Sequence, residues 1–170
     1  MRFCPRCAQP LIDTPLAGRQ RQMCPDPQCA WVHWDNPLPV AAAIVEHIDS
    51  EGKILLARNR AWKDVVFGLI TGFIERDESP EQAVAREVKE EVGLDTTSIS
   101  LVGVYDYQRK NELIIVYHVK AQGEIVLNEE LCDYRLIAPE KLRPWEAGTG
   151  PAVRDWLAGR GLLKKPELPG

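Results

Sequence analysis

The stretch from Gly72 to Leu94, GFIERDESPEQAVAREVKEEVGL, decides the fold of this 170-residue chain. It carries the clearest helix signals of the sequence: Ser79 suits an N-cap, Pro80 suits the first helical position, and a glutamine follows the cap by three residues. Alanine and valine recur at helical spacing, and Gly93 is a natural helix terminator. These signals predict a helix from Pro80 to Val92.

Three glutamates of this helix share one face, because Glu87, Glu90 and Glu91 are spaced i, i+3 and i+4. Like charges at this spacing repel one another by roughly 0.2–0.5 kcal/mol per pair. A divalent cation such as Mg²⁺ or Mn²⁺, which prefers carboxylate and phosphate oxygens, would neutralise them. The alternative is a solvated acidic face, since glutamates are common on exposed helices.

The surrounding residues carry a family resemblance. Gly72, Glu78 and the run from Arg86 to Gly93, REVKEEVG, resemble the Nudix box, the signature of the Nudix hydrolase family, at every defining position. The resemblance implies an α/β domain, an α/β/α sandwich with a mixed sheet, in which a strand-loop-helix unit carries the metal ligands. It also implies a metal-dependent hydrolase that cleaves a diphosphate bond.

Carried over by position, the resemblance assigns Mg²⁺ binding to Glu87, Glu90 and Glu91. Glu78, on the loop, would support the site or share a metal through water. Arg86 would orient a glutamate by ion pairing rather than contact the substrate. Metal-bound water would lose its proton to a carboxylate and attack one phosphorus of the diphosphate.

Positions around the motif refine this expectation. Gly72 and Gly93 would permit a tight backbone at its two ends, and Asp77 stands where family members often have glycine. Related zinc-ribbon members have a late metal ligand before a strand, which makes Glu130 the candidate for a fourth carboxylate. Glu129 is its neighbouring competitor, and an exposed loop glutamate is the alternative.

Strand patterns on both sides of the helix predict an α/β layered domain. A final helix is expected from Pro151 to Arg160, ended by Gly161, and Cys132 is expected to be a small buried apolar residue. The predicted strands are Val40–Ile48, Lys53–Arg58, Leu69–Phe73, Ser98–Gln108, Leu113–Ala121 and Cys132–Ile137.

Four of the five cysteines lie near the N-terminus, as Cys4-x2-Cys7 and Cys24-x4-Cys29. A segment of this size cannot bury a sufficient core, so the pattern predicts a structural Zn²⁺ bound by four thiolates. Because the second spacing is wider than usual, His33 is the alternative fourth ligand. We predict a zinc ribbon at 1–35, a Nudix domain at 36–163 that opens on the linker Asn-Pro-Leu-Pro, and a loose tail at 164–170.

The ribbon, the Asp35-Asn36-Pro37 junction and the Nudix box together resemble the NADH pyrophosphatase branch and its relatives that act on ADP-ribose or FAD. NADH pyrophosphatases carry a Ser-Gln-Pro-Trp-Pro-Phe-Pro segment after the box, where residues 104–109 here read VYDYQR. They also have a further domain before the ribbon, which we expect this protein to lack. The resemblance therefore favours ADP-ribose and FAD over NADH.

A nucleotide base needs an aromatic face, for which Phe67, Tyr105 and Tyr107 are the candidates. Core or surface packing is the alternative for each of them. Three cations just before the box could meet phosphates, with a solvated loop as the alternative; they are Arg58, Arg60 and Lys63. Tryptophans 31, 34, 145 and 156 are expected to pack at the ribbon junction and near the final helix.

Composition restricts the function classes. The net charge of −4 argues against general nucleic-acid binding, and the sequence has neither a membrane-length apolar run nor a secretory signal, so we expect a cytoplasmic protein. We expect hydrolysis of a nucleoside diphosphate linked to another moiety, such as ADP-ribose, FAD or NADH, into two phosphate monoesters. The alternative is a nucleotide- or nucleic-acid-binding sensor or interaction protein without turnover. The resemblance also suggests a homodimer.

Overall fold

The chain divides into two compact units, Met1–Asn36 and Pro37–Gly170, and the computed structural model describes residues 1–163. The first unit ends one residue after the predicted boundary. The tail predicted at 164–170 lies outside the described residues. Within the described part of the chain, no helix is long and apolar enough to cross a membrane.

The first unit is a small antiparallel sheet of three strands in sequence order: β1 (Ile12–Leu16), β2 (Arg19–Met23) and β3 (Val32–His33). A two-residue turn with positive φ at both positions, Ala17 and Gly18, joins the first two strands. Most of these strand residues are exposed or only partly covered, so the sheet encloses little apolar core. The buried side chains of this unit are two cysteines, Cys4 and Cys24.

The second unit is a mixed sheet between two helices. β4 and β8 are parallel and the other pairs are antiparallel, in the order β7-β8-β4-β5-β9, with β6 also paired to β4. The strands are β4 (Leu38–His47), β5 (Lys53–Asn59), β6 (Ile70–Phe73), β7 (Asp95–Tyr107), β8 (Glu112–Gln122) and β9 (Leu131–Ile137). The helices are α1 (Pro80–Val92) and α2 (Gly150–Gly159).

Strand β4 is buried on both faces, and its alternating side chains enter two separate cores. Ala41, Ala43 and Val45 pack towards the apolar stripe of α1, which consists of Ala83, Val84, Val88 and Val92. Val40, Ala42 and Ile44 pack towards α2, which contributes Ala152, Val153, Trp156 and Leu157. This two-sided burial produces the α/β/α sandwich that the resemblance implied.

The structure corrects several local predictions. Pro39 lies inside β4 rather than in a linker, where its carbonyl accepts a hydrogen bond from Ile74 at 3.3 Å. Helix α2 begins and ends one residue before its predicted bounds, and β7 begins at Asp95 rather than Ser98. Cys132 is exposed and not buried as predicted, because it lies in a run of four exposed residues of β9 that follows the buried Leu131.

Candidate active site

The loop-helix unit is fixed by local hydrogen bonds at both ends of α1. The Ser79 hydroxyl accepts a hydrogen bond from the Gln82 amide at 3.2 Å, and the Gln82 side chain accepts one from the Ser79 amide at 2.7 Å. This capping box, with Pro80 in the first turn, satisfies amides that the helix leaves without a partner. Gly93 ends the helix at φ 75°, and its amide donates to the carbonyl of Lys89.

Close approach of α1 to strand β6 depends on Gly72. A methyl group built on Gly72 would overlap the carboxylate of Glu87, so only glycine leaves room for that side chain against the strand. The φ of Gly72 is not positive, in contrast to that of Gly93. The requirement for glycine therefore comes from packing and not from a turn.

Arg86 is the centre of an ion-pair network. It binds Glu78 through two nitrogens, at 2.8 and 3.2 Å, and its Nη1 atom donates to Glu87 at 2.7 Å and to Glu90 at 3.1 Å. It also donates to the carbonyl of Phe73 at 3.1 Å, which ties the helix to the end of β6. Arg86 thus pairs with three glutamates of the motif, and its contact with Glu78 is bidentate and therefore geometrically strict.

Glu78 links this network to the loop. Its carboxylate accepts a hydrogen bond from the Glu75 amide at 2.7 Å as well as the contacts from Arg86. The hydrogen bonds from Arg86 and from that amide lower the pKa of Glu78. Asp77, immediately before it, has φ 67°, a left-handed conformation that glycine adopts without strain. Glu78 therefore connects the Glu75 amide of the loop to Arg86 of the helix, and it does not line the acidic cavity described below.

The glutamates of α1 open onto a polar cavity of about 440 Å³. Glu87, Glu90 and Glu91 line one side, and Glu130 lies in the same lining, so the structure brings all four together. Glu129 is not in this lining. Glu112, at the start of β8, adds a fifth carboxylate that the sequence analysis did not identify.

Burial and mutual repulsion oppose ionisation in this cavity. The pKa of Glu91 rises to about 8, because the carboxylate is shielded from water and faces those of Glu87, Glu130 and Glu90. Burial also raises the pKa of Glu87, although the contact with Arg86 partly offsets it. Bound protons or cations would relieve this repulsion, so the cluster has the electrostatics of a cation site with oxygen ligands.

The glutamates of the acidic cavity offer the oxygen donors that a hard divalent cation needs. Carboxylate oxygens suit Mg²⁺ or Mn²⁺, which keep several waters and do not require a closed cage of protein ligands. Within residues 1–163, the cysteine quartet is the one group of three or more His, Cys, Asp or Glu residues whose ligand atoms all lie within 4.8 Å of one another. The glutamates are more spread than the cysteines, and the Nη1 atom of Arg86 lies between Glu87 and Glu90.

A second cavity, of about 690 Å³, adjoins the acidic one. Four aromatic side chains line it: Trp62, Phe67, Tyr107 and Trp145. The guanidinium of Arg135 lies 4.1 Å from the centre of the Phe67 ring. The size and aromatic lining of this cavity suit a planar heterocycle.

Two of the three predicted aromatic contacts, Phe67 and Tyr107, line this cavity, and Tyr105 does not. Tyr105 and Tyr107 are two residues apart on β7 and project from the same face of the sheet, so the difference comes from their positions along the strand. The Tyr105 hydroxyl donates to Asp155 of α2 at 2.9 Å, and its ring packs in the α2-side core. Tyr105 is therefore not a substrate contact in this structure, contrary to the prediction.

The cations predicted near the phosphates line neither cavity. The guanidinium of Arg60 donates to the carbonyls of Glu129 at 3.1 Å and Leu131 at 3.3 Å, so it holds the loop that carries Glu130. Lys110, which the sequence analysis missed, lines both cavities. A signal existed in Lys110-Asn111-Glu112: charged residues flanking a turn before a buried strand.

The four N-terminal cysteines form a separate cluster. The sulfur atoms of Cys4 and Cys29 are 3.6 Å apart, and those of Cys7 and Cys24 are 3.4 Å apart. A tetrahedral zinc site with Zn–S bonds of about 2.3 Å needs sulfurs roughly 3.8 Å apart. The cluster therefore fits one Zn²⁺. His33 instead stacks on Trp31 with ring centres 5.9 Å apart, and it is not among the clustered ligand atoms.

An α/β/α sandwich with an acidic helix beside a cleft defines the structural class, and comparison with known proteins defines the family. The NUDIX domain model matches residues 37–157, so the chain belongs to the Nudix family. The NAD-capped RNA hydrolase NudC of Stutzerimonas stutzeri (strain A1501) is 32% identical over 174 residues, covering 99% of this chain and 60% of the relative. The protein of that name from Pseudomonas aeruginosa (strain LESB58) is 30% identical with the same coverage. The chain thus spans about 60% of these relatives' length.

Solved structures agree on the fold. The crystal structure of a NUDIX hydrolase from Nitrosomonas europaea superposes with a TM-score of 0.71 at 26% identity, covering 84% of this chain and 80% of that one. An ADP-ribose pyrophosphatase from Streptococcus suis 89-1591 superposes with a TM-score of 0.59 at 23% identity, covering 74% and 92%. At that identity the second likeness concerns the fold alone.

Proposed function

We propose that this protein is a pyrophosphohydrolase that cleaves the diphosphate of a nucleoside diphosphate linked to a second moiety, with Mg²⁺ or Mn²⁺ as cofactor. The observation that carries the proposal is the acidic cavity beside an aromatic one, with Glu87, Glu90, Glu91 and Glu130 in a single lining. Membership of the Nudix family and the hydrolase names of its relatives support the same chemistry.

The carboxylates would hold the cation, which when bound would offset the phosphate charge and acidify a water. Arg86 would keep Glu87 and Glu90 in a fixed orientation through its hydrogen bonds. Glu91, whose pKa rises to about 8, holds its proton more tightly than an ordinary carboxyl group when the cavity contains only protein. A carboxylate of this set would accept the proton of the attacking water, and the products would be two phosphate monoesters.

The aromatic cavity supports a nucleotide-type substrate. Tyr107, Trp62 and Trp145 line the cavity that adjoins the acidic one, and stacking of a base on such rings would contribute about 1–3 kcal/mol. ADP-ribose, FAD and NADH all place a base or flavin next to a diphosphate. The relatives are named for hydrolysis of NAD-capped RNA, which contains the same linkage at the end of a nucleic acid.

The test is an activity assay on the full chain with ADP-ribose, FAD, NADH and an NAD-capped RNA, each with Mg²⁺ or Mn²⁺. We expect AMP or another phosphate monoester from at least one of them, and loss of turnover by at least about a hundredfold in Glu91→Gln. Glu124→Gln changes an exposed glutamate outside both cavities and should retain full activity. Tight binding without turnover of every compound would favour the ligand sensor instead.

The proposal also covers the zinc ion, the oligomeric state and the cellular location. We propose one structural Zn²⁺ on the cysteine quartet, a homodimer and a cytoplasmic location, of which the sulfur geometry supports the first. Sedimentation at several protein concentrations checks the dimer, because a monomer at micromolar concentration would contradict it.

A further inference from the structure

We propose that Glu112 binds the ribose hydroxyls of the substrate and makes the enzyme select ribonucleotides over 2′-deoxyribonucleotides. This inference rests on the proposed function and names a specificity residue for it. Glu112 is one of four residues that line both cavities, the others being Val40, Thr71 and Lys110. These four residues form the boundary between the acidic and the aromatic cavity.

Covalent order in a nucleotide places the sugar at this boundary. A nucleoside 5′-diphosphate runs from phosphate through ribose to base. If the diphosphate lies at Glu87, Glu90 and Glu91 and the base lies among the aromatic rings, the ribose must lie between the two cavities. Of the four boundary residues, Glu112 alone carries a carboxylate.

Strand register fixes Glu112 next to a base-stacking residue. Tyr107 and Glu112 are directly paired partners of β7 and β8, so their side chains project from the same face of the sheet. Tyr107 lines the aromatic cavity, and Glu112 lines both cavities. The pair could therefore meet adjoining parts of one nucleoside, with the ring against the base and the carboxylate against the sugar.

The chemistry of Glu112 suits a vicinal diol. Its side chain is only 14% exposed, and its Oε1 atom lies 3.9 Å from the ammonium of Lys110, a long contact with a side chain that is 64% exposed. A carboxylate has about four lone-pair sites and acts only as an acceptor. The 2′- and 3′-hydroxyls are donors, and removing one of them would leave part of this shielded charge without a partner.

The test uses a symmetric substrate, so that either half presents the same nucleoside to the aromatic cavity. Diadenosine diphosphate and its bis-2′-deoxy analogue are hydrolysed with Mg²⁺, and kcat/KM is compared. We expect the wild type to prefer the ribose form on the order of 10- to 100-fold. In Glu112→Gln this ratio should fall to within about threefold of unity, because the amide is a weaker acceptor.

Glu124→Gln is the matched control and should keep the wild-type ratio, since Glu124 is exposed and outside both linings. The ratio is internal to each variant, so a partly unfolded preparation does not change it. An unchanged ratio in Glu112→Gln overturns the inference while leaving the proposed function intact. An unchanged ratio with a raised Mg²⁺ requirement would make Glu112 a metal ligand instead. Failure of the wild type to hydrolyse any diphosphate overturns both proposals.

Discussion

Among single residues, Glu91 is a carboxylate whose ionisation the fold opposes strongly, since its pKa rises from 4.5 to about 8. Between pH 4.5 and 8 the Glu91 carboxyl group is ionised in the unfolded chain but still protonated in the folded one. Its contribution to the free energy of unfolding of the metal-free protein therefore decreases as the pH rises through this range. Glu91→Gln should weaken this trend, and saturating Mg²⁺ should do the same in the wild type. Urea unfolding at several pH values measures it.

Other groups titrate in the same pH range, so the contribution of Glu91 is obtained from the difference between the pH profiles of Glu91→Gln and the wild type. The pKa of His118 is lowered, chiefly by burial, so protonation of the unfolded chain destabilises the protein as pH falls below 6.5. Glu91→Gln leaves that contribution in place. If its pH profile runs parallel to that of the wild type, the assigned environment of Glu91 is wrong.

Gly72 gives a second residue-scale prediction. Gly72→Ala should destabilise the protein by about 1–3 kcal/mol, because the added methyl group displaces the Glu87 carboxylate. Turnover should fall more than stability explains, since Glu87 is a proposed metal ligand. Thermal unfolding and kcat/KM at a temperature where the variant is folded separate the two effects.

Gly159→Ala is the matched control for this substitution. A methyl group on Gly159 meets no atom within 4 Å, and the residue ends helix α2. Alanine there should be neutral or stabilising by up to about 1 kcal/mol. Equal losses of activity in both variants would show that the contact between Gly72 and Glu87 is unimportant.

Gly72 and Glu112 differ in how far the sequence alone could identify them. Gly72 was identified as part of the Nudix box, and we expected glycine to be required there for a tight backbone. The structure shows instead that a larger residue would overlap the side chain of Glu87, fifteen positions away. The only local signal at Glu112 is a charged residue after a turn, and the pairing of β8 with β4 and β7 is what brings it to the acidic cavity. Contacts that depend on sheet register cannot be predicted from spacing along the chain.

At the scale of elements, helix α1 was predicted from Pro80 to Val92 and begins and ends at those residues. Its signals are all local: a cap, a proline, a stripe of apolar residues and a terminal glycine. Strand ends were predicted less accurately, because a strand ends where its partner ends. β7 begins at Asp95 because it pairs with the far end of β8, at Gln122.

Ser79 tests how much the cap contributes to this element. Ser79→Ala removes the acceptor for the Gln82 amide and should lower the free energy of unfolding by about 1 kcal/mol. Activity should decrease only modestly, because Glu78 remains bound to Arg86. Ser98→Ala, at an exposed position of β7, is the control. Indistinguishable unfolding of the two variants would mean that the cap does not stabilise α1.

For the whole molecule, the two units are stabilised by different means. The second unit has an apolar core on each side of its sheet, whereas no strand residue of the first unit is fully buried, and β2 reads Arg-Gln-Arg-Gln-Met. These three strands carry no strand signal, because β2 is polar almost throughout, β1 contains a proline and β3 has only two residues. They were therefore not predicted. The cysteine spacing alone indicated that residues 1–35 were structured.

Stability of the first unit should therefore depend on metal. Structural Zn²⁺ on four thiolates contributes about 10–16 kcal/mol in small domains, far more than the few buried side chains here can supply. We expect about one zinc per chain. Chelation should expose four additional thiols and permit proteolysis within 1–36, while a fragment that begins near Pro37 persists.

Cys24→Ser should behave without chelator as the chelated wild type does, because Cys24 is fully buried among the four sulfurs. Cys132→Ser changes the exposed cysteine of β9 and should retain both zinc and resistance to protease. A zinc-free chain whose first 36 residues still resist protease would show that the polar strands suffice without metal.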